Sequence, residues 1–79
     1  MEKLKSMISE YAGIDVDKIN ENMDLARDLG LDSFSMIALV TEVEKTFDVN
    51  ISDADLSQFQ TLKDVVDFLN KNSKIFNKK

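Results

Sequence analysis

The sequence predicts an all-α fold: a four-helix bundle with three longer helices and one short one, and a long loop between helices one and two. Three observations carry this. Apolar residues recur at helical spacing in three separate stretches, two hydroxyl residues each stand three positions before an acid, and no segment alternates as a strand would. With no proline, only two glycines and no internal repeat, nothing marks a linker or a second domain, so residues 1–79 read as one domain.

In the first stretch Leu4, Met7, Ile8 and Tyr11 share one helical face up to Gly13, which suits the left-handed position just past a helix end; this gives a helix over 2–12. Residues 13–32 scatter Ile14, Val16, Ile19, Met23, Leu25, Leu29 and Leu31 among acids and asparagines without a sustained period. They read as a loop pinned to the core by apolar anchors, and a loop of that length is uncommon unless it is functional. From Ser33 the helical period returns: Met36, Val40, Val43 and Phe47, with Leu39 beside them, make a core stripe through a central helix over 33–47.

Ser52-Asp53-Ala54-Asp55 and Thr61-Leu62-Lys63-Asp64 then repeat the capping-box spacing with Asp in place of the usual Glu. A short helix near 53–58 and a last helix over about 62–71 follow, the latter carrying Leu62, Val65, Val66 and Leu69 on one face. The core is expected to span about 2–71, and residues 73–79 form a basic tail with Lys74, Lys78 and Lys79.

Composition excludes several functions. A chain of 79 residues buries only about 60% of its unfolded surface, which leaves no room for both a core and a deep catalytic cleft. It contains no His and no Cys, so neither a Ser-His nor a Cys-His pair can be assembled, and it is not expected to be an enzyme. The absence of Cys also removes a disulfide framework and points to a reducing compartment. With no apolar leader or membrane-length run, a cytoplasmic, soluble monomer is expected.

The 15 acids exceed the 10 bases, and before residue 73 the imbalance is 15 acids against seven bases, a net −8. Such a field repels nucleic acid and anionic membranes and steers the chain towards basic partner surfaces. Asp15-Val16-Asp17 fails the calcium-loop pattern, since Ile19 stands at the third ligand position and Ala26 where the bidentate Glu belongs, so no metal is expected.

Against that background Asp28-Leu29-Gly30-Leu31-Asp32-Ser33-Phe34 is the most informative segment. It delivers one serine to the start of a helix, where unpaired N–H groups and the helix dipole favour an anion such as a phosphate ester. A serine presented there without a general base is an attachment point, and Asp32 caps the helix beside it. Phe34, Ile37, Ala38, Thr41 and Glu44 continue the serine's side of the helix away from the core stripe, which predicts an exposed docking face.

These residues resemble the acyl carrier proteins. The signature Asp-Ser-Leu at the head of the second helix is matched by Asp32-Ser33-Phe34, after Asp28-Leu29-Gly30-Leu31. The likeness continues through Glu42-Val43-Glu44-Lys45-Thr46-Phe47-Asp48-Val49, Ile51-Ser52-Asp53 and Thr61-Leu62-Lys63-Asp64-Val65-Val66-Asp67-Phe68-Leu69. The resemblance implies that Ser33 receives 4′-phosphopantetheine from coenzyme A through a phosphopantetheinyl transferase. The thiol of that group would carry acyl intermediates as thioesters for fatty-acid or polyketide-type biosynthesis, passed among acyl-transferring and acyl-modifying enzymes.

An acyl chain would then lie among Met36, Leu39, Val40, Val43, Phe47, Phe59, Leu62 and Val65. Two departures qualify the likeness: Phe34 replaces the family's usual Leu, and Ser35, Ala38 and Lys45 thin the acidic second helix of housekeeping carriers, which predicts a specialised carrier. An aminoacyl carrier (D-alanyl or peptidyl) and a helical interaction module without a prosthetic group remain the alternatives.

Overall fold

Short polar side chains start the second, third and fourth helices of this chain, and left-handed residues end the first and second, satisfying loose backbone groups at those helix ends. The computed structural model describes residues 2–76 and contains α1 (Glu2–Ala12), α2 (Ser33–Phe47), α3 (Asp53–Gln58) and α4 (Leu62–Asn72), with one 3-10 turn at Val16–Lys18 between α1 and α2. The architecture is the all-α arrangement of three longer helices and one short helix that the periodicity predicts. Only an isolated antiparallel bridge between Asp24 and Thr61 interrupts it among the described residues.

The Gly13 N–H returns to the Ser9 carbonyl at 2.8 Å, and the glycine adopts φ +71, the left-handed turn that ends α1. Asp48 ends α2 in the same region, at φ 54, its N–H bonded back to the Glu44 carbonyl. At the start of α3 the Ser52 hydroxyl accepts from the Asp55 N–H at 3.1 Å while the Asp55 carboxylate accepts from the Ser52 N–H at 3.2 Å. At α4 the Asp64 carboxylate accepts from the N–H groups of Thr61 (3.0 Å) and Gln60 (2.9 Å). These backbone donors, Thr61 first, hold the Asp64 carboxyl below the ordinary Asp range.

The core draws on the three longer helices and the loop: Leu4, Met7 and Ile8 from α1; Ile19, Leu25, Leu29 and Leu31 from the loop; Leu39, Val43 and Phe47 from α2; Leu62, Val65, Val66 and Leu69 from α4. Two expectations change here. The buried stripe of α2 is Leu39–Val43–Phe47, whereas Met36 and Val40 are half-buried at its edge, so the helix turns Leu39 further inward than the +4, +3, +4 spacing suggests.

The packing also runs past residue 71. Ser73 and Phe76 are buried, the Ser73 hydroxyl donates to the Phe47 carbonyl at 2.6 Å and accepts from the Phe76 N–H at 3.1 Å, and the Phe76 ring meets Phe47 edge-on at 5.2 Å. The segment read as a basic tail therefore closes the base of α2 through Phe76; the part of that tail with Lys78 and Lys79 lies outside the described residues.

The long loop keeps its shape by satisfying its own backbone, as a partly buried segment must. Asp24 Oδ1 accepts from the N–H groups of Ala26 and Arg27, both at 2.9 Å, and Asp28 Oδ2 accepts from the Asp24 N–H at 2.7 Å. Cross-bonds then tie the loop to the α3–α4 connection and the head of α4: Leu25 N–H to the Gln60 carbonyl (2.9 Å), Leu62 N–H to the Met23 carbonyl (3.1 Å) and Lys63 N–H to the Glu21 carbonyl (2.9 Å). The loop is thus a fixed scaffold that ends at Ser33.

Candidate prosthetic-group attachment site

The approach to Ser33 is built from an alternation of buried and exposed residues. Leu29 and Leu31 are buried, and Gly30 between them takes φ +69, a conformation that costs an L-residue strain and glycine nothing. The anchored turn brings Asp32 to the cap of α2, where its side chain accepts from the Ser35 N–H at 2.8 Å. That backbone bond, with the Ser35 side chain next, holds the Asp32 carboxyl below its ordinary value, so it is ionised at neutral pH.

Ser33 is the first residue of the helix, exposed, and no hydrogen bond among the described residues uses its hydroxyl. The hydroxyls of Ser9, Ser52, Ser57 and Ser73 are each spent on a partner inside the fold, and Ser6, exposed and likewise unbonded, lies within α1 and not at a helix start. The first turn of α2 itself holds no acidic side chain, and the Asp32 cap takes only its Ser35 N–H as a hydrogen bond, so the helix end still favours an anion on Ser33. A free hydroxyl at a helix N-terminus and an open approach fit a phosphodiester-linked group.

Beside Ser33 lies an open groove of about 390 Å³, lined by Ala26, Leu31, Asp32, Met36, Ile37, Leu56 and Phe59 as well as Ser33 itself. Behind it an enclosed, wholly apolar cavity of only about 10 Å³ is walled by Leu4, Ile8, Leu25, Met36, Leu39, Val40, Val43, Ile51, Phe59 and Val65. Met36 and Phe59 line both, so they form the partition between the groove and the interior. Phe68 supports that partition, its ring edge-on to Phe59 at 5.6 Å.

Six of the eight expected cavity residues are in this wall. Phe47 and Leu62 are not: Phe47 is turned to Phe76, and Leu62 is fully buried where α4 meets the loop. Leu4, Ile8, Leu25 and Ile51 take part instead. The α1 pair was legible as a helix face but not as a neighbour of α2, because one sequence carries no pairing information.

On the outer face, Phe34 is 82% exposed and Ile37 59% exposed, which places two large apolar side chains next to the serine in solvent. Thr41 is exposed, its hydroxyl bonded to the Ile37 carbonyl at 2.8 Å. Ala38 departs from the expectation: it is half-buried in a groove shared with Tyr11 and Thr46, on the side turned to α1.

Glu44 departs too, being half-buried with its Oε2 accepting from the Ile51 N–H at 2.7 Å. The other acid of α2, Glu42, accepts from the Tyr11 hydroxyl at 2.9 Å, and that bond raises the Tyr11 phenol above its ordinary value. Both α2 acids are therefore engaged within the fold. The Asp24 and Asp28 carboxylates are likewise used on backbone N–H groups, and no group of three or more possible metal ligands occurs among the described residues.

Residues 2–69 match the family model described as the phosphopantetheine attachment site. The chain is 44% identical over 72 residues to the acyl carrier protein of Onion yellows phytoplasma, covering 91% of this chain and 95% of that protein. It is 41% identical over 69 residues to the acyl carrier protein of Thermotoga maritima, covering 87% and 85%. Among solved structures, the acyl carrier protein of Enterococcus faecalis superposes with a TM-score of 0.79 at 32% identity, covering 91% of each chain.

Proposed function

This chain belongs to the phosphopantetheine-binding acyl carrier proteins, and from that premise we propose that Ser33 bears its covalent 4′-phosphopantetheine. The observation that carries the assignment is the unused, exposed Ser33 hydroxyl at the first position of α2, held there by the Asp32 cap and the buried Leu29 and Leu31. When bound, the group supplies a terminal thiol that holds acyl units as thioesters. The chain's own residues present the attachment oxygen, stabilise the phosphate by the helix end, and shelter the acyl chain.

With no His or Cys available, transferase and acyl-processing enzymes perform the chemistry, docking on Phe34, Ile37 and Thr41. We place the protein in the cytoplasm as a monomer, with residues 1–79 acting as a single carrier domain. The cargo is an acyl chain of the fatty-acid or polyketide type, a reading supported by the wholly apolar wall from Met36 to Val65, where an aminoacyl group would find no polar partner.

Incubation with coenzyme A and a broad-specificity phosphopantetheinyl transferase, followed by intact mass measurement, tests the site. The wild type should gain one pantetheinyl phosphate and Ser33→Ala none. Modification of Ser33→Ala, or none of the wild type, would overturn the assignment.

A further inference from the structure

Ile37, Thr41 and Glu44 fall on one line of α2, yet the last of them does not point freely into solvent. Its carboxylate takes the main-chain N–H of Ile51 at 2.7 Å, across the turn that joins α2 to α3. That turn begins with Asp48 at φ 54, and no backbone–backbone bond is made by the Ile51 N–H. Its donor would be unpaired without Glu44, and an unpaired, half-buried N–H is costly. Ile51, in turn, lines the apolar cavity together with Leu4, Ile8, Met36 and Phe59.

We infer that Glu44 is a positioning residue: by fixing the Ile51 amide it keeps the α2–α3 turn pressed against the apolar cavity and holds that wall closed. The conclusion rests on the reading that this cavity receives the acyl chain, and it deepens that reading by identifying what sets the cavity's resting size. The carboxylate can do this because it bonds a backbone donor, whose position moves the whole turn; a contact to a flexible side chain would not transmit. It lies near the side of α2 that carries Ile37 and Thr41, so the group that closes the interior is reachable from the proposed docking face.

The test uses the full chain without prosthetic group, in three forms: wild type, Glu44→Gln, which keeps an acceptor oxygen, and Glu44→Ala, which does not. Amide hydrogen exchange at Ile51 should speed up on the order of tenfold in Glu44→Ala, while Val43 and Leu69 amides change little and Glu44→Gln stays near wild type. Xenon should shift the methyl resonances of Ile51, Val40 and Val43 saturably and more strongly in Glu44→Ala, whose cavity wall is released, than in the other two.

Unchanged Ile51 exchange in Glu44→Ala, uniform acceleration of all amides, or equal xenon response in all three forms would each overturn the inference. None of these readouts uses acylated protein, so a failure of the latch is separable from a failure of the carrier reading, which mass measurement and acyl loading judge on their own.

Discussion

Loading the carrier with acetyl, hexanoyl and octanoyl groups in turn should raise its melting temperature only once the chain is long enough to pass the Met36–Phe59 partition. The resting cavity of about 10 Å³ has room for about one water molecule, so a chain must part its walls to enter. Each methylene moved from water into apolar surroundings contributes about 0.8 kcal/mol, or about 1.6 kcal/mol for the two that distinguish octanoyl from hexanoyl.

Separating close-packed walls takes back a fraction of this, leaving on the order of 1 kcal/mol. For a chain of this size that corresponds to about 4–8 °C. Thermal unfolding followed by far-ultraviolet circular dichroism, on samples shown by mass to be fully loaded, reads the shift directly. Acetyl should match the unacylated form, and octanoyl should exceed hexanoyl by about that interval. Identical melting for all three would refute chain entry and favour an aminoacyl cargo.

Phe34→Ala removes a side chain that is 82% exposed, so it should change stability by less than about 1 kcal/mol in denaturant titration while impairing turnover by the transferase or an acyl-processing partner; a loss of several kcal/mol would show Phe34 to be core. The Asp64 carboxyl is depressed by the Thr61 and Gln60 N–H groups, so its contribution is complete above the unfolded Asp value of about 3.9 and is lost as pH falls through the lower folded value. The stability gap between wild type and Asp64→Asn should therefore be constant near neutrality and shrink below about pH 4; a gap independent of pH would contradict the cap. Turnover by a housekeeping ketoacyl synthase should be poor and be rescued, with a steeper salt dependence, by Ser35→Asp, Ala38→Glu and Lys45→Glu combined; wild-type turnover equal to that of a housekeeping carrier would refute a specialised partner set.

Local signals made the helices legible. Gly13, the Ser52–Asp55 and Thr61–Asp64 boxes and the Asp32 cap each act within four residues, and each bond is present at or within one residue of the expected boundary. The exposure of Phe34 and Ile37 was equally readable, since the stripe of α2 has room for only one apolar face. What was not legible depends on pairing between distant segments.

Phe76 falls in the stretch read as a basic tail because Lys74, Lys78 and Lys79 surround it without an acid, and its burial depends on a Phe47 ring and a Ser73 hydroxyl that only the folded chain brings together. Phe47 for the same reason was placed in the cavity wall that Leu4, Ile8, Leu25 and Ile51 complete. Glu44 looked like a free docking charge, because nothing in a sequence announces that the amide of Ile51 lacks a backbone partner.

That last displacement changes how charge and docking relate in this carrier. Fields of many charges act over a Debye length and chiefly accelerate encounter, whereas single contacts at the docked surface set specificity and residence. The net −8 before residue 73 comes mainly from the loop and α3, while α1 and α4 balance their own charges, so encounter with basic partners is still favoured. On α2 itself Glu42 is bonded to Tyr11 and Glu44 to Ile51, and the exposed positions nearest Ser33 are Phe34 and Ile37. Each carboxylate keeps a second oxygen for a partner's cation but is held in place by its internal hydrogen bond, whereas Phe34 and Ile37 are free to be buried by a partner. The attraction that brings partners to this carrier and the contacts that select among them therefore reside in different residues.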